Sequence, residues 1–340
     1  MKYVDIQALQ TWYVNNKRDF PFRKTKDPYK IWVSEIMGQQ TQLTTVVPYY
    51  ETFTERFPNV ETLARASMDD VLKTVEGIGY YRRFRFLKRG AEQILNEQNG
   101  RLPGTYEGWL DIPGVGQYTA AAIMAIAFNE SYAATDGNVI RVIARERGID
   151  KDMRKEKNKR IVQSINQAAI EKAEPAVYME AIMELGAMVC TPKQPTCGDC
   201  PLNVTCIARE EALQNLLPVM GKRKSPEVRK KITLIVDDDD HIHLVRQTKV
   251  MLGGMYLFPQ YEADNIGIVI HELNEKGIRL AEPSFLGTKR HVFSHRIWEM
   301  DVYGVKLQSQ PPNHWICIDK NTLNDYPMPV AHQKVTELMG

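Results

Sequence analysis

Apolar positions recur at helical spacing through the first two thirds of the chain and alternate in its last third. Asp27-Pro28 supplies a capping side chain followed by a residue suited to a first helical turn. Apolar residues then follow at Ile31, Trp32, Ile36, Leu43, Val46, Val47, Tyr50 and Phe53. Gly38 and Pro48 are expected to break or kink this stretch. The same period runs through Leu63–Val75, Phe86–Leu95, Tyr118–Phe128, Val139–Arg147 and Tyr178–Val189, so residues 1–213 are predicted to form a mainly α-helical domain. Residues 214–231 hold Pro218, Gly221, Pro226 and many charges, and read as an interdomain linker. After Lys231 the pattern changes. Ile232–Val236, His241–Val245 and Arg296–Val305 alternate as strands do, with Asp237–Asp240 an acidic turn. Residues 232–340 are therefore predicted to form a smaller α+β domain.

Composition narrows the setting. A chain of 340 residues is expected to divide into two or three domains, and its 43% apolar content suffices for packed cores. No apolar run approaches a membrane span, and none follows Met1–Asp5 as in a signal peptide. A cytosolic setting is expected (nucleoid-associated in a bacterium), where thiols stay reduced. Of five cysteines, four cluster and Cys317 stands apart, which favours metal ligation over disulfides. The net charge of +2 says little, but its distribution says more. Residues 214–231 carry +5 (six Lys/Arg and one Glu), leaving −3 elsewhere (2 − 5). Arg82, Arg83, Arg85, Lys88 and Arg89 form a second basic cluster interleaved with Phe84 and Phe86. Such clusters suit a phosphate-binding face; taken alone, either reads first as a solvated helix face.

Four local patterns carry candidate chemistry. In Leu110-Asp111-Ile112-Pro113-Gly114-Val115-Gly116-Gln117-Tyr118-Thr119 a tight turn around Gly114 and Gly116 lies between helical patterns. It leaves backbone N–H groups at a helix N-terminus, as a phosphate site needs, and the Ile-Pro before it and Ala-rich helix after it fit a helix–hairpin–helix. Glu35 sits among large apolar residues, which would raise its pKa and fit it for acid catalysis; the plain alternative is a surface glutamate beside a core stripe. Asp136 before Gly137 can cap the next helix, or can stay ionised and stabilise a developing cation. Together the two carboxylates would have the split pKa values that glycosidic cleavage uses. Cys190, Cys197, Cys200 and Cys206 are spaced C-x6-C-x2-C-x5-C, with one C-x-x-C pair where zinc sites usually show two. That spacing fits a compact [4Fe–4S] loop better than zinc.

These motifs coincide in order with Ser34-Glu35-Ile36-Met37-Gly38-Gln39-Gln40-Thr41, Gly77-Ile78-Gly79-Tyr80-Tyr81 and Asp136-Gly137-Asn138. The chain strongly resembles the MutY family of adenine DNA glycosylases, in the helix–hairpin–helix superfamily, over nearly its whole length. The cysteine spacing and hairpin are shared with the endonuclease-three-like glycosylases. Those lyase relatives carry a nucleophilic lysine two residues after the hairpin glycine, where this chain has Tyr118, and a tyrosine cannot form a Schiff base. The last domain resembles the family's Nudix-like module. Leu252–Pro259 is similar to its strand motif, His291-Val292-Phe293-Ser294-His295 to its 8-oxoguanine-reading loop, and Tyr326–Gln333 to its end. The Nudix hydrolase box around His271–Ile278 is degraded, which implies lesion recognition without nucleotide hydrolysis.

The resemblance implies a helix–hairpin–helix glycosylase domain (1–213) with an iron–sulfur cluster loop (190–206), a linker (214–231) and a Nudix-like domain (232–340). The implied activity is monofunctional removal of adenine opposite 8-oxoguanine or guanine in double-stranded DNA, by a monomer, with no membrane partner. Glu35 would protonate adenine N7, Asp136 would stabilise the oxocarbenium ion, and Asn138 and Tyr118 would orient them. Gln40 and Tyr80 would fill the stack as wedges. Arg23, Glu180, Gly114, Gly116, Phe293, Ser294 and His295 would contact DNA or the base, and the four cysteines would hold one [4Fe–4S] cluster. Gly38, Phe22, Arg82 and Phe86 depart from the usual family pattern, which bears on opposite-base specificity rather than on reaction class. Competing readings are a glycosylase for another base, such as thymine in a T:G pair, a mismatch-binding protein without chemistry, and a zinc-bearing DNA-binding module.

Overall fold

The structure, a computed structural model, describes residues 5–221, 225–249 and 251–339. The chain divides into two compact units: Met1–Ala64 with Arg89–Arg223, and Arg65–Lys88 with Lys224–Gly340.

The first unit is helical. It contains α1 (Ile6–Asn16), α2 (Pro28–Gly38), α3 (Leu43–Arg56) and α4 (Val60–Arg65, whose last residue falls across the division). α5 (Met68–Thr74) belongs to the second unit, and α6 (Arg82–Gln98) runs across the division. Then come α7 (Tyr106–Leu110), α8 (Gln117–Phe128), α9 (Gly137–Glu146), α10 (Glu156–Ile170), α11 (Pro175–Met188) and α12 (Ile207–Glu210). α8 is buried from Thr119 to Ile126, and its small residues let α2, α7 and α11 approach it. The Trp32 and Trp109 rings meet edge to face 5.5 Å apart beside it.

Local rules set the helix ends. The Asp27 carboxylate accepts from the Tyr29 N–H at 2.9 Å, with Pro28 opening α2 as expected. The expected break at Gly38 is where α2 ends. Pro48, expected to break or kink the stretch, lies inside α3, which continues past it. Near the helix start it removes one intrahelical bond, which Val46, Tyr50 and Phe53 offset by burial. The expected helical run Leu63–Val75 is two helices, because Ser67 caps α5 by accepting from the Asp70 N–H.

The second unit is a sheet covered on both faces. Its strands are β1 (Glu227–Asp238), β2 (His241–Arg246), β3 (Tyr256–Leu257), β4 (Gln260–Tyr261), β5 (Ser284–Val292), β6 (Arg296–Val305) and β7 (Trp315–Asp319). The order is β3-β2-β1-β6-β5, with β4 on β1 and β7 on β2. β1 and β2 form a hairpin whose register pairs Asp238 with His241, so the acidic turn falls where the sequence put it. β1 begins at Glu227, and Leu217 is buried in the first unit, so both ends of the 214–231 stretch are built into structure. On one face α14 (Val330–Thr336) packs over Ile242, Leu244, Phe258, Trp298 and Met300; on the other α13 (Ile266–Glu275) packs over Ile232, Leu234 and Trp315.

Candidate active site

A cavity of about 1120 Å³ in the first unit gathers Glu35, Tyr118, Asp136, Asn138 and Glu180, and is also lined by Gln40, Gly114 and Gly116. Residues scattered over 145 positions of sequence therefore share one space (180 − 35).

Glu35 is the partly buried residue in a run of α2 whose neighbours, Ile31–Ser34, Ile36 and Met37, are all buried. Burial pushes its carboxyl up to about 7, with the Glu180 and Asp136 carboxylates adding to the rise. Arg23 and a hydrogen bond donated by the Tyr118 hydroxyl pull the other way. Near neutral pH this group can therefore carry and give up a proton. Tyr118 is pushed far up by burial and by both carboxylates, so its hydroxyl stays neutral; it also lies 3.4 Å from the Met183 sulfur.

Asp136 is the N-cap of α9. Its Oδ1 accepts from the Val139 N–H at 2.8 Å and its Oδ2 from Asn138 Nδ2 at 3.0 Å. Burial raises its pKa too, but these donors and the Arg141 guanidinium oppose the rise. Donors thus surround Asp136 where carboxylates face Glu35, and this asymmetry sets the pair apart. Arg141 donates to Asn138 Oδ1 and to the carbonyls of Gly186 and Cys190, each at 2.7 Å, so the capping turn and the cysteine loop share one guanidinium. A Cβ on Gly186 would come within 2.6 Å of Asn138, so α11 can sit this close only with glycine there.

Sequence reasoning missed Arg18 and Glu184. Glu184 lies one turn after Glu180 on α11; burial would raise its pKa, but Arg23 and Arg18 hold it down to about 2. Arg23 is spent inside the protein, forked onto Glu184 and flanked by the Tyr13 and Phe20 rings. Arg18 also pairs with Glu184 yet is more open, and lines the cavity. The Glu180–Glu184 spacing of four was the available signal. Glu180 accepts from the Tyr13 hydroxyl at 2.8 Å, and burial raises its pKa.

Gly114 adopts φ +82°, closing the turn between α7 and α8, and Gly116 caps α8 with nothing within 4 Å of a Cβ there. That leaves open backbone at a helix N-terminus. Gln40 has φ +59° at an exposed turn after α2. In the second unit Tyr80 has φ +52° and is 45% exposed. Non-glycine residues held in this region carry strain, which concentrates at functional sites. The Tyr80 and Ser294 hydroxyls are hydrogen-bonded to each other. Ser294 and His295 are exposed; Phe293 packs edge to face on Trp298 at 4.9 Å.

Among the described residues neither basic cluster is one open face. Arg83 and Lys88 are buried, and Arg82 lies over the Phe86 ring. Lys231 and Arg229 pair with Glu262 in the second unit, while Lys222–Lys224 lie outside the described residues.

The four expected metal ligands line one small cavity of about 30 Å³ together with Arg145, Leu185 and Leu202. Among the described residues no three His, Cys, Asp or Glu side chains converge on a single-ion site. Four soft sulfur donors around one cavity suit a thiophilic metal group. Burial pushes the Cys200 thiol up to about 12, with the other three sulfurs adding to it. Arg145, itself buried, donates to the carbonyls of Thr191, Pro192 and Leu217 and so braces this loop.

Residues 33–167 match the HhH-GPD superfamily of base excision DNA repair proteins, and residues 232–338 match the NUDIX domain. An adenine DNA glycosylase of Rattus norvegicus is 32% identical over 364 residues, covering 89% of this chain and 70% of that protein. Among solved structures, a thermostable thymine-DNA glycosylase aligns with a TM-score of 0.55 at 28% identity, over 61% of this chain and 95% of that one. An endonuclease III in a non-covalent complex with DNA shares the fold, with a TM-score of 0.52 at 18% identity over 61% and 96% of the two chains.

Proposed function

The chain belongs to the adenine DNA glycosylase family, and from that premise we propose that it hydrolyses the N-glycosidic bond of adenine opposite 8-oxoguanine or guanine in double-stranded DNA, acting as a monomer. The observation that carries this is a carboxyl with its pKa at about 7, Glu35, in one cavity with a donor-ringed Asp136.

Adenine must leave the base stack to reach such a cavity, and the exposed, strained Gln40 and Tyr80 are suited to fill its place. Protonated Glu35 donates its proton to adenine N7, so the base departs with the bonding electrons as neutral adenine. Positive charge grows on the sugar as the bond lengthens, and ionised Asp136, oriented by Asn138, stabilises it. Water then adds to the sugar, its proton passing to the Glu35 carboxylate, and an abasic site is left. Tyr118 orients Glu35 and supplies no amine, so strand cleavage by β-elimination is not expected. Ser294 and His295, exposed beside Tyr80, are the candidates for reading 8-oxoguanine. Cys190, Cys197, Cys200 and Cys206 would hold one [4Fe–4S] cluster, which when bound folds the loop and supplies no group to the glycosidic step.

A thymine glycosylase is the second reading, favoured by the likeness to the thymine-DNA glycosylase structure. Incubation with labelled duplexes holding A:8-oxoguanine or T:G, with and without hot alkali, separates the two. The proposal expects cleavage at adenine only after alkali. Strand cleavage without alkali, or cleavage at thymine alone, would refute it.

A further inference from the structure

The turn that presents Tyr80 is built into the second unit, although it lies 144 positions before the rest of that unit resumes (224 − 80). The Asp69 carboxylate fastens α5 there. Asp69 Oδ1 accepts from the Arg246 guanidinium on β2, and Oδ2 accepts from the Tyr256 hydroxyl on β3 at 2.9 Å. Tyr256 is buried, so its ring fixes where that hydroxyl can lie. Just before the turn, Glu76 Oε1 accepts from the Met328 N–H at 2.6 Å, while its Oε2 accepts from Lys73.

The Leu252-Gly253-Gly254 motif completes the joint. A Cβ on Gly253 would lie 2.3 Å from Arg85, and one on Gly254, which has φ +85°, would lie 2.8 Å from Leu72. The Lys249 carbonyl, 2.6 Å from a Cβ on Gly253, and the left-handed backbone of Gly254 favour glycine at both positions, and this leaves room there for the Arg85 tip and the Leu72 side chain. The turn itself is tightly wound: Gly77 and Gly79 have φ of +97° and +79°, and the Gly77 N–H donates to the Tyr81 hydroxyl at 2.9 Å. At its tip the Tyr80 hydroxyl meets Ser294.

Resting on the recognition of 8-oxoguanine given above, we propose that Asp69 and Glu76 are positioning residues for opposite-base specificity: they tie the Tyr80 wedge to the Phe293–His295 loop, so that both meet the mispair as one part. With guanine opposite adenine the loop has no lesion to engage, and the tie contributes little. With 8-oxoguanine the wedge arrives already placed, and ordering cost is saved.

The test is single-turnover adenine release by the full chain, loaded with its cluster, on A:8-oxoguanine and A:G duplexes. Asp69→Ala is expected to slow release opposite 8-oxoguanine by about tenfold while changing release opposite guanine by less than about twofold. Asp69→Glu should recover most of the preference. Tyr256→Phe, which removes one hydroxyl and keeps the ring, should lower the preference in the same direction; it stands in if Asp69→Ala fails to fold. Equal slowing on both duplexes, or an unchanged preference in Asp69→Ala and Tyr256→Phe, would overturn the positioning role alone. A wild type that does not discriminate between the duplexes would instead overturn the recognition reading, and this role with it.

Discussion

In the cavity of the first unit the important groups are enclosed and their proton affinities displaced, whereas in the second unit they stand in the open on a strained turn and a loop. Glu35 is pushed up to about 7 by burial and by neighbouring carboxylates. Ser294 and His295 are exposed, and Tyr80 is left-handed at an exposed tip. The second unit also encloses a titratable group, but puts it to structural use. Burial pushes His332 down to about 3, and its Nδ1 accepts the Phe258 N–H at 3.2 Å. Burial alone therefore does not mark chemistry. What distinguishes Glu35 is burial on the wall of an open cavity, facing like charges.

The comparison breaks most sharply at Glu35. Glu35→Gln should slow adenine release by about 10³–10⁴-fold, at the upper end for a lost general acid, and leave duplex binding within a fewfold. Single-turnover rates beside a binding titration read both. Asp136→Asn should cost on the order of 10²–10³-fold, while melting stays within about 0.5 kcal/mol because asparagine also caps helices. The cost of holding Glu35 is visible in stability. A carboxyl raised from 4.5 to about 7 binds its proton more tightly in the folded state, so its contribution is retained below about pH 4.5 and lost as pH rises through 7. Glu35→Gln should thus stabilise the protein by up to about 3 kcal/mol at pH 8, with the gain vanishing near pH 4. Denaturant melts at the two pH values measure it. The smallest effect belongs to the second unit: Ser294→Ala should lower the preference for 8-oxoguanine over guanine by about tenfold, the scale of one hydrogen bond, with the A:G rate unchanged. A general loss of activity instead would mean that the two units do not divide the work this way.

Much of this was legible in local sequence. Asp27-Pro28, the Ala-rich run after Gly116 and Asp136-Gly137 each announce a helix start, and those starts place Glu35, Tyr118 and Asp136. Other elements left weaker traces. β5 alternates only between exposed and half-buried positions, so it carries no apolar stripe, and β3 and β4 are two residues each. α10 begins among lysines that hide its apolar stripe. The Arg18–Glu184–Arg23 ion pairs join residues more than 160 apart, and no local pattern reports such pairing. Nor does any announce that residues 65–88 belong with the C-terminal sheet, because Asp69, Glu76 and Arg85 read as ordinary surface charges until their partners are known.

The most direct test of Glu35 as the acid is the pH dependence of single-turnover adenine release from an A:8-oxoguanine duplex. The rate should hold steady below about pH 7 and fall tenfold per unit above it, as the proton is lost from Glu35. A rate that stays level from pH 6 to 9, roughly the span that brackets this group, would contradict the account.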